Sequence, residues 1–201
     1  MANLPAVWAL IRAPFNATAR LDDRTLLRLA REGDAEAFRH VFDRHAASVH
    51  RFLCDLTSDE TLADEATQET FVRAFQKLSS LRDDERLSPW LFGIGRFICL
   101  EAHRARVRHA EDPLEHSLDD AILATQETPE TALLSRERGL ALDSALKRLR
   151  EDRRTALILR ADHGLSYDEI SRTLGWSLAK TKVELHRARA ELRTLLLEET
   201  P

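Results

Sequence analysis

The residues with the most evident chemical capacity lie near the C-terminus, in the segment AKTKVELHRARAELR, where Lys180, Lys182, His186, Arg187, Arg189 and Arg193 recur at short intervals. Ammonium and guanidinium groups are hydrogen-bond donors without acceptor capacity, suited to phosphate oxygens and to the acceptor edge of guanine. Glu184 and Glu191 temper the charge of the same segment. This is recognition chemistry, not bond-making chemistry. His40, His45 and His50 are spaced five apart, which does not stack them on one helix face, and the chain contains no H-E-x-x-H, phosphate-binding glycine loop or G-x-S-x-G element. No catalytic residue, metal ligand set or cofactor is therefore expected, and a small helical metalloenzyme is a remote reading.

Two further clusters carry charge. Arg96, His103, Arg104, Arg106 and Arg108 follow one another with only Glu101 opposing them, a second candidate contact to nucleic acid. Upstream, Asp64, Glu65, Gln68 and Glu69 form an acidic and amide-bearing patch, in which polar groups can set the register of a protein partner. Taken alone, either basic cluster can also be an ordinary solvated helix face.

These side chains must be positioned by helices. Gly and Pro number six each, and long stretches are rich in Leu, Ala, Arg and Glu, so propensity favours an all-α fold. Asp22 or Asp23 caps a first helix ending near Gly33, and Asp34 caps a second. In that second helix Phe38, Val41, Phe42, His45, Val49, Phe52, Leu53 and Leu56 form an apolar stripe, with His45 read as a core histidine. A third helix is expected from Ser58, with Leu62, Ala66, Phe71, Phe75 and Leu78 inward. Ser88-Pro89 reads as N-cap and first turn of a fourth, which buries Trp90, Leu91, Ile94, Ile98 and Ala102.

From Ala110 to Thr128 the chain has six acidic residues and no Lys or Arg, bracketed by Pro113 and Pro129, the pattern of a linker. Thr128-Pro129 caps the next helix, which leads into an apolar run of Leu140, Leu142, Ala145, Leu146 and Leu149; a second apolar run through Ala156, Leu157 and Leu159 follows. Ser166 and Glu169 then form a capping box, and Leu174-Gly175-Trp176-Ser177 makes the turn of a helix-turn-helix whose second helix carries the first cationic cluster. Trp176 is read as a packing residue.

The expected architecture is two small helical domains: a flexible extension over 1–21, a first domain over 22–109, an acidic linker over 110–128, and a helix-turn-helix domain over 129–201. With 43% hydrophobic residues among 201, the chain can bury real cores. A net charge of −4 argues against coating nucleic acid through bulk positive charge, so contacts must be local. Cys54 and Cys99 form no C-x-x-C pair and fit a reducing cytoplasm, and Pro5 and Pro14 interrupt the apolar opening segment, which disfavours a signal peptide or membrane span.

At this point the residues resemble the extracytoplasmic-function sigma factors of the sigma-70 family, over roughly Asp22 to Leu197. ADEATQETFVRAFQKL is similar to the family's helix that docks on the clamp of the largest subunit of core RNA polymerase. SPWLFGIGRFICLEAHRAR is similar to its minus-ten helix, and Arg153 to Leu196, with HRAR at His186 to Arg189, to its minus-thirty-five reader. The resemblance implies an alternative sigma factor that is not an enzyme, is cytoplasmic, has no direct membrane association, and binds double- and single-stranded promoter DNA. Polymerase contacts would fall on Asp64, Glu65, Gln68, Glu69 and Phe71, although Phe71 fits a core position equally well. Minus-ten contacts would fall on Arg82, Arg86, Arg96, Phe97, Arg104 and Arg106, with the loop from Leu81 to Leu87 holding a flipped base. Minus-thirty-five contacts would fall on Arg160, Ser177, Lys180, Lys182, His186, Arg187 and Arg189. An anti-sigma factor is the implied restraining partner.

The chain departs from the family pattern at Phe97, where Asn is frequent, at Arg150, where Pro follows the leucine, and at Ala179-Lys180-Thr181, where Gly-Thr-Val is frequent. Phe97 cannot make the hydrogen bonds of Asn, and Lys180 and Glu184 alter the charge of the reading helix. A one-component helix-turn-helix regulator, binding an operator without polymerase, is the alternative reading. It predicts stable DNA binding by the chain alone, whereas a sigma factor whose two domains pack together should bind promoters poorly until polymerase separates them.

Overall fold

The computed structural model describes residues 21–81, 87–109 and 129–199, and among them every regular element is helical. In order these are α1 (Asp23–Arg31), α2 (Ala35–Thr57), α3 (Glu60–Gln76), a 3-10 turn (Leu78–Ser80), α4 (Leu87–His109), α5 (Pro129–Arg148), α6 (Glu151–Ala161), α7 (Tyr167–Leu174) and α8 (Leu178–Glu199). Residues 1–20 of the extension expected over 1–21, the loop carrying Arg82 and Arg86, and the acidic segment 110–128 with Thr128 lie outside the described residues, whereas Leu21 is partly buried against the core.

The helix starts follow from short polar side chains that accept the otherwise unpartnered first-turn amides. Asp22 accepts from the Thr25 amide at 2.9 Å, and Asp34 accepts from Glu36 and Ala37 at 2.9 and 3.1 Å. The third helix starts one residue later than expected. Ser58 adopts a left-handed conformation, φ 52°, that ends α2, and Asp59 caps α3 by accepting from the Leu62 amide at 2.9 Å. Ser88 lies inside the first turn of α4 and does not precede it, because that helix already includes Leu87.

Helices α1 to α4 pack as one unit around Phe52, Phe71 and Phe92, all fully buried. Each such ring contributes up to about 3 kcal/mol by leaving water. Phe38 meets Phe75 edge-on at 5.0 Å, and Phe42 meets Phe71 at 4.8 Å. Gly95 lets α4 lie close on its neighbours: a Cβ there would sit 3.0 Å from Leu53 Cδ2 and 3.1 Å from Thr70 Oγ1. Thr67 and Thr70, buried on α3, donate their hydroxyls to the carbonyls of Ala63 and Ala66 at 2.7 and 2.6 Å, which removes the cost of burying them.

Helices α5 to α8 pack on one another around Leu149, Ala156, Leu159, Leu165, Ile170, Leu185 and Ala188, a second unit whose apolar residues run on continuously into those of the first. Leu140 and Leu142 are 49% and 42% exposed; among the side chains described on α5, Ala145 is the first that is buried. The apolar count of the segment had no way to show which part of α5 faces its partners.

The two units touch. α2 packs on α6, and α4 packs on α7. Across this seam Arg96 pairs with Asp152 at 2.6 Å, Arg154 donates to the Leu56 carbonyl at 2.9 Å, and Thr173 donates to the Pro89 carbonyl at 3.2 Å.

Candidate nucleic-acid and protein-docking faces

The helix-turn-helix is built as its residues dictate. Ser166 and Glu169 make the reciprocal capping box of α7, and Gly175 ends that helix at φ 65°, a left-handed conformation that favours glycine. Ser177 then starts α8, its hydroxyl oxygen accepting from the Lys180 amide at 3.2 Å.

Helix α8 has two unlike faces. Thr181, Leu185 and Ala188 are fully buried at four- and three-residue steps, with Leu192 and Leu195 partly buried below them. That register turns Lys180, Lys182, Val183, His186, Arg187, Arg189 and Arg193 to the exposed side. Lys182, His186 and Arg187 are thus exposed side by side on α8. Lys180 is more constrained: its ammonium lies over the Trp176 ring, 4.6 Å from the centroid. Trp176 is half-buried against the core, as its packing role required.

The two glutamates do not share the cationic face. Arg153 on α6 donates to Glu184 at 2.8 Å and to Glu191 at 2.6 Å, with Arg153 and Glu184 only 17% and 15% exposed. The hydrogen bond from Arg153 holds the Glu184 carboxyl below the usual range, and the two carboxylates raise the Arg153 guanidinium above its own. Glu184 also accepts from Arg187 at 2.9 Å, which orients that exposed arginine. The expectation that Glu184 simply dilutes the reading face is therefore corrected: its charge is neutralised from behind.

Arg160 is exposed but engaged, donating to the Leu165 carbonyl at 2.8 Å and lying 5.3 Å from the Tyr167 ring centroid. Tyr167 joins this face, although the sequence reading passed over it. A hydrogen bond with Arg189 pulls its phenol below the usual range, with smaller contributions from Arg160 and Lys182. The signal was present: the chain's one tyrosine directly follows the capping Ser166.

The second cationic cluster is divided. Arg104 is exposed on α4, and Phe97 is 50% exposed. Arg106 pairs with Asp59, 3.3 Å away. Arg96 is 17% exposed and bound to Asp152, so in this conformation it faces the second unit and not solvent. A cleft of about 590 Å³ opens between the units, lined by Trp90, Ile94 and Phe97 of α4 and by Thr173 and Arg172 of α7.

On α3, Asp64, Glu65 and Gln68 are exposed, whereas Phe71 is 1% exposed. Phe71 packs on Phe42 and offers no surface to a partner, which corrects its assignment as an interface anchor. Asp64 accepts from His50 at 2.9 Å. Glu69 holds Arg73 at 2.7 Å, and Arg73 continues to Glu101 of α4 at 2.6 Å.

Among the described residues no group of three or more His, Cys, Asp or Glu side chains could hold a metal ion, and no helix is long and apolar enough to cross a membrane. Both cysteines are free; burial pushes the Cys99 thiol up to about 11.

Comparison with known families decides what these faces belong to. Sigma-70 region 2 matches residues 41–109, and Sigma-70 region 4 matches residues 139–192. The ECF RNA polymerase sigma factor SigM of Mycobacterium tuberculosis is 32% identical, over 87% of this chain and 84% of its own length. The chain belongs to the ECF RNA polymerase sigma factors. The RNA polymerase sigma factor CarQ of Myxococcus xanthus is also 32% identical, over 84% of this chain and 94% of its own length. Among solved structures, the sigma factor RpoE in complex with the anti-sigma factor NepR from Bartonella quintana matches with TM-score 0.64 and 26% identity, covering 79% of this chain and 96% of that one. CnrH in complex with the cytosolic domain of CnrY matches with TM-score 0.65 and 26% identity, over 89% and 99% of the two chains. The molecule is thus an RNA polymerase-binding alternative sigma factor for transcription initiation, all-helical as expected, and the operator-binding regulator is not favoured. Region 2 spans α2 to α4 and region 4 spans the end of α5 through most of α8.

Proposed function

We propose that residues 22–109 and 129–201 of this sigma factor act as separable domains, the first for polymerase and the minus-ten element, the second for the minus-thirty-five element. The observation that carries this reading is the split face of α8, with Thr181, Leu185 and Ala188 buried and Lys182, His186, Arg187 and Arg189 exposed. A helix anchored on one side and cationic on the other fits a major groove, where lysine and arginine donate to guanine and to phosphate. Tyr167, Arg160 and Ser177 flank it.

Polymerase docking falls to Asp64, Glu65, Gln68 and Glu69 on α3, without Phe71. Minus-ten recognition falls to Phe97, Arg104 and Arg106, joined by Arg96 once its bond to Asp152 is released. Unstacking a base costs on the order of a few kcal/mol, which contacts to the unpaired strand and to polymerase offset. No residue needs to break a covalent bond, and the protein acts without a cofactor in the cytoplasm. The packed arrangement of the two domains is the latent form. An anti-sigma factor is the natural partner to hold it, a reading supported by solved relatives captured in such complexes.

The test is capture of the full chain on bacterial core RNA polymerase followed by run-off transcription from a genomic promoter pool. Core binding with new start sites is expected. Tight operator binding by the chain alone, with no core binding, would overturn the proposal.

A further inference from the structure

His163 lies just past α6, in the segment that leads to α7, yet its ring sits against the other unit. It meets Phe92 of α4 at 4.7 Å and Phe52 of α2 edge-on at 5.6 Å between centroids. Its Nδ1 lies 3.4 Å from Ser48 Oγ on α2, and its Nε2 is buried with no hydrogen-bond partner. A neutral imidazole tolerates this position by keeping one nitrogen as an unprotonated acceptor. An imidazolium must place two N–H donors, and the Nε2 proton would be buried against aromatic carbon with nothing to accept it.

We propose that His163 is a proton-sensitive wedge in the seam between the two helical units, so that acidification favours their separation. The inference rests on the reading of the packed arrangement as the latent form. The charged groups around the ring are Asp162 on its own segment and Arg51 on α2, which oppose each other. Asp55, also on α2, is coupled to Asp162, Arg51 and Asp143, and burial raises its carboxyl toward the neutral form. None of them supplies Nε2 with an acceptor. Burial is accordingly the leading influence on the imidazole and lowers its affinity for a proton.

The sign follows. With the units apart, His163 titrates at the ordinary value near 6.5; packed, it titrates lower. Above about pH 6.5 both forms are neutral and the seam has its full strength. Below that value the separated form takes up the proton first. The separation constant then rises by about tenfold per pH unit until the packed form also titrates.

The experiment is a nuclear magnetic resonance titration of the His163 ring in the full chain, assigned by its loss in His163→Gln. It is repeated in the seam-breaking variant Asp152→Arg/Thr173→Arg, with Arg96→Glu as the alternative should circular dichroism show the double variant unfolded. A midpoint below 6.5 in the native chain, returning to about 6.5 in the broken-seam variant, is the expected result. An equally low midpoint in both would overturn the wedge by assigning the desolvation to the C-terminal unit alone. A midpoint near 6.5 in the native chain, with Phe92-to-His163 ring contacts still seen, would overturn the wedge and leave the latent form standing. The same midpoint with those contacts missing would overturn both.

Discussion

The two cationic clusters look alike as strings of letters and differ as surfaces. On α8 the buried triplet Thr181, Leu185 and Ala188 forces the cations outward, and the two acidic residues among them are drawn to Arg153 behind the helix. On α4 Arg96 faces the other unit and binds Asp152, and Arg106 binds Asp59. The cations of α8 all reach its exposed side, whereas on α4 Arg104 is exposed and Arg96 is turned to the seam. Availability of a charge is therefore set by which neighbour reaches it first, not by how many charges a helix carries.

The comparison breaks most sharply at Arg153. Arg153→Leu leaves Glu184 and Glu191 without the guanidinium that holds them behind α8 and should destabilise the C-terminal helices. A shifted urea midpoint for the C-terminal helices would register it. An unchanged midpoint would mean that α8 needs no support from behind. Gly95→Ala tests the packing that places α4: Leu53 and Thr70 must give by a few tenths of an ångström, against a gain of about 1 kcal/mol in helix propensity, and a small net loss of stability is expected. Thermal unfolding reports that cost.

The presented face is tested by Lys182→Ala with Arg187→Ala. Promoter discrimination should fall by about 1–3 kcal/mol per lost base contact, read by competition binding of the polymerase complex, while core binding stays unchanged. Charge reversal at Asp64 and Glu69 should do the opposite, weakening capture on core polymerase and sparing DNA selectivity. Equal loss of both activities in both variants would end the division of labour. The smallest effect is expected from Asp152→Asn, which frees Arg96. The pair is partly solvated, so no more than about 1 kcal/mol is at stake, seen as a few-fold gain in DNA binding by the free chain.

Much of this was readable from sequence because the governing rules are local. Capping aspartates, the Ser166–Glu169 box, the Gly175 turn and the periodic stripe of α2 depend on residues a few positions apart, and the structure places them as expected. Cations on α8 were legible for the same reason. What escaped depends on distant partners. Phe71 is inside because Phe42 lies opposite, Arg96 is occupied because Asp152 lies across the seam, and Glu184 points inward because Arg153 waits on α6. The start of α3 at Asp59 was missed over a single residue, since Ser58 and Asp59 are both good caps and only the left-handed turn at Ser58 separates them.

The bond between Arg96 and Asp152 has a consequence for how such a protein can change over generations. One side chain is a candidate promoter contact and also a clasp between the two halves. A mutation at this position that alters a promoter contact also alters how firmly the two helical units are clasped. The two traits cannot drift independently here, so selection on either one should leave paired changes at positions 96 and 152 among descendants of this gene.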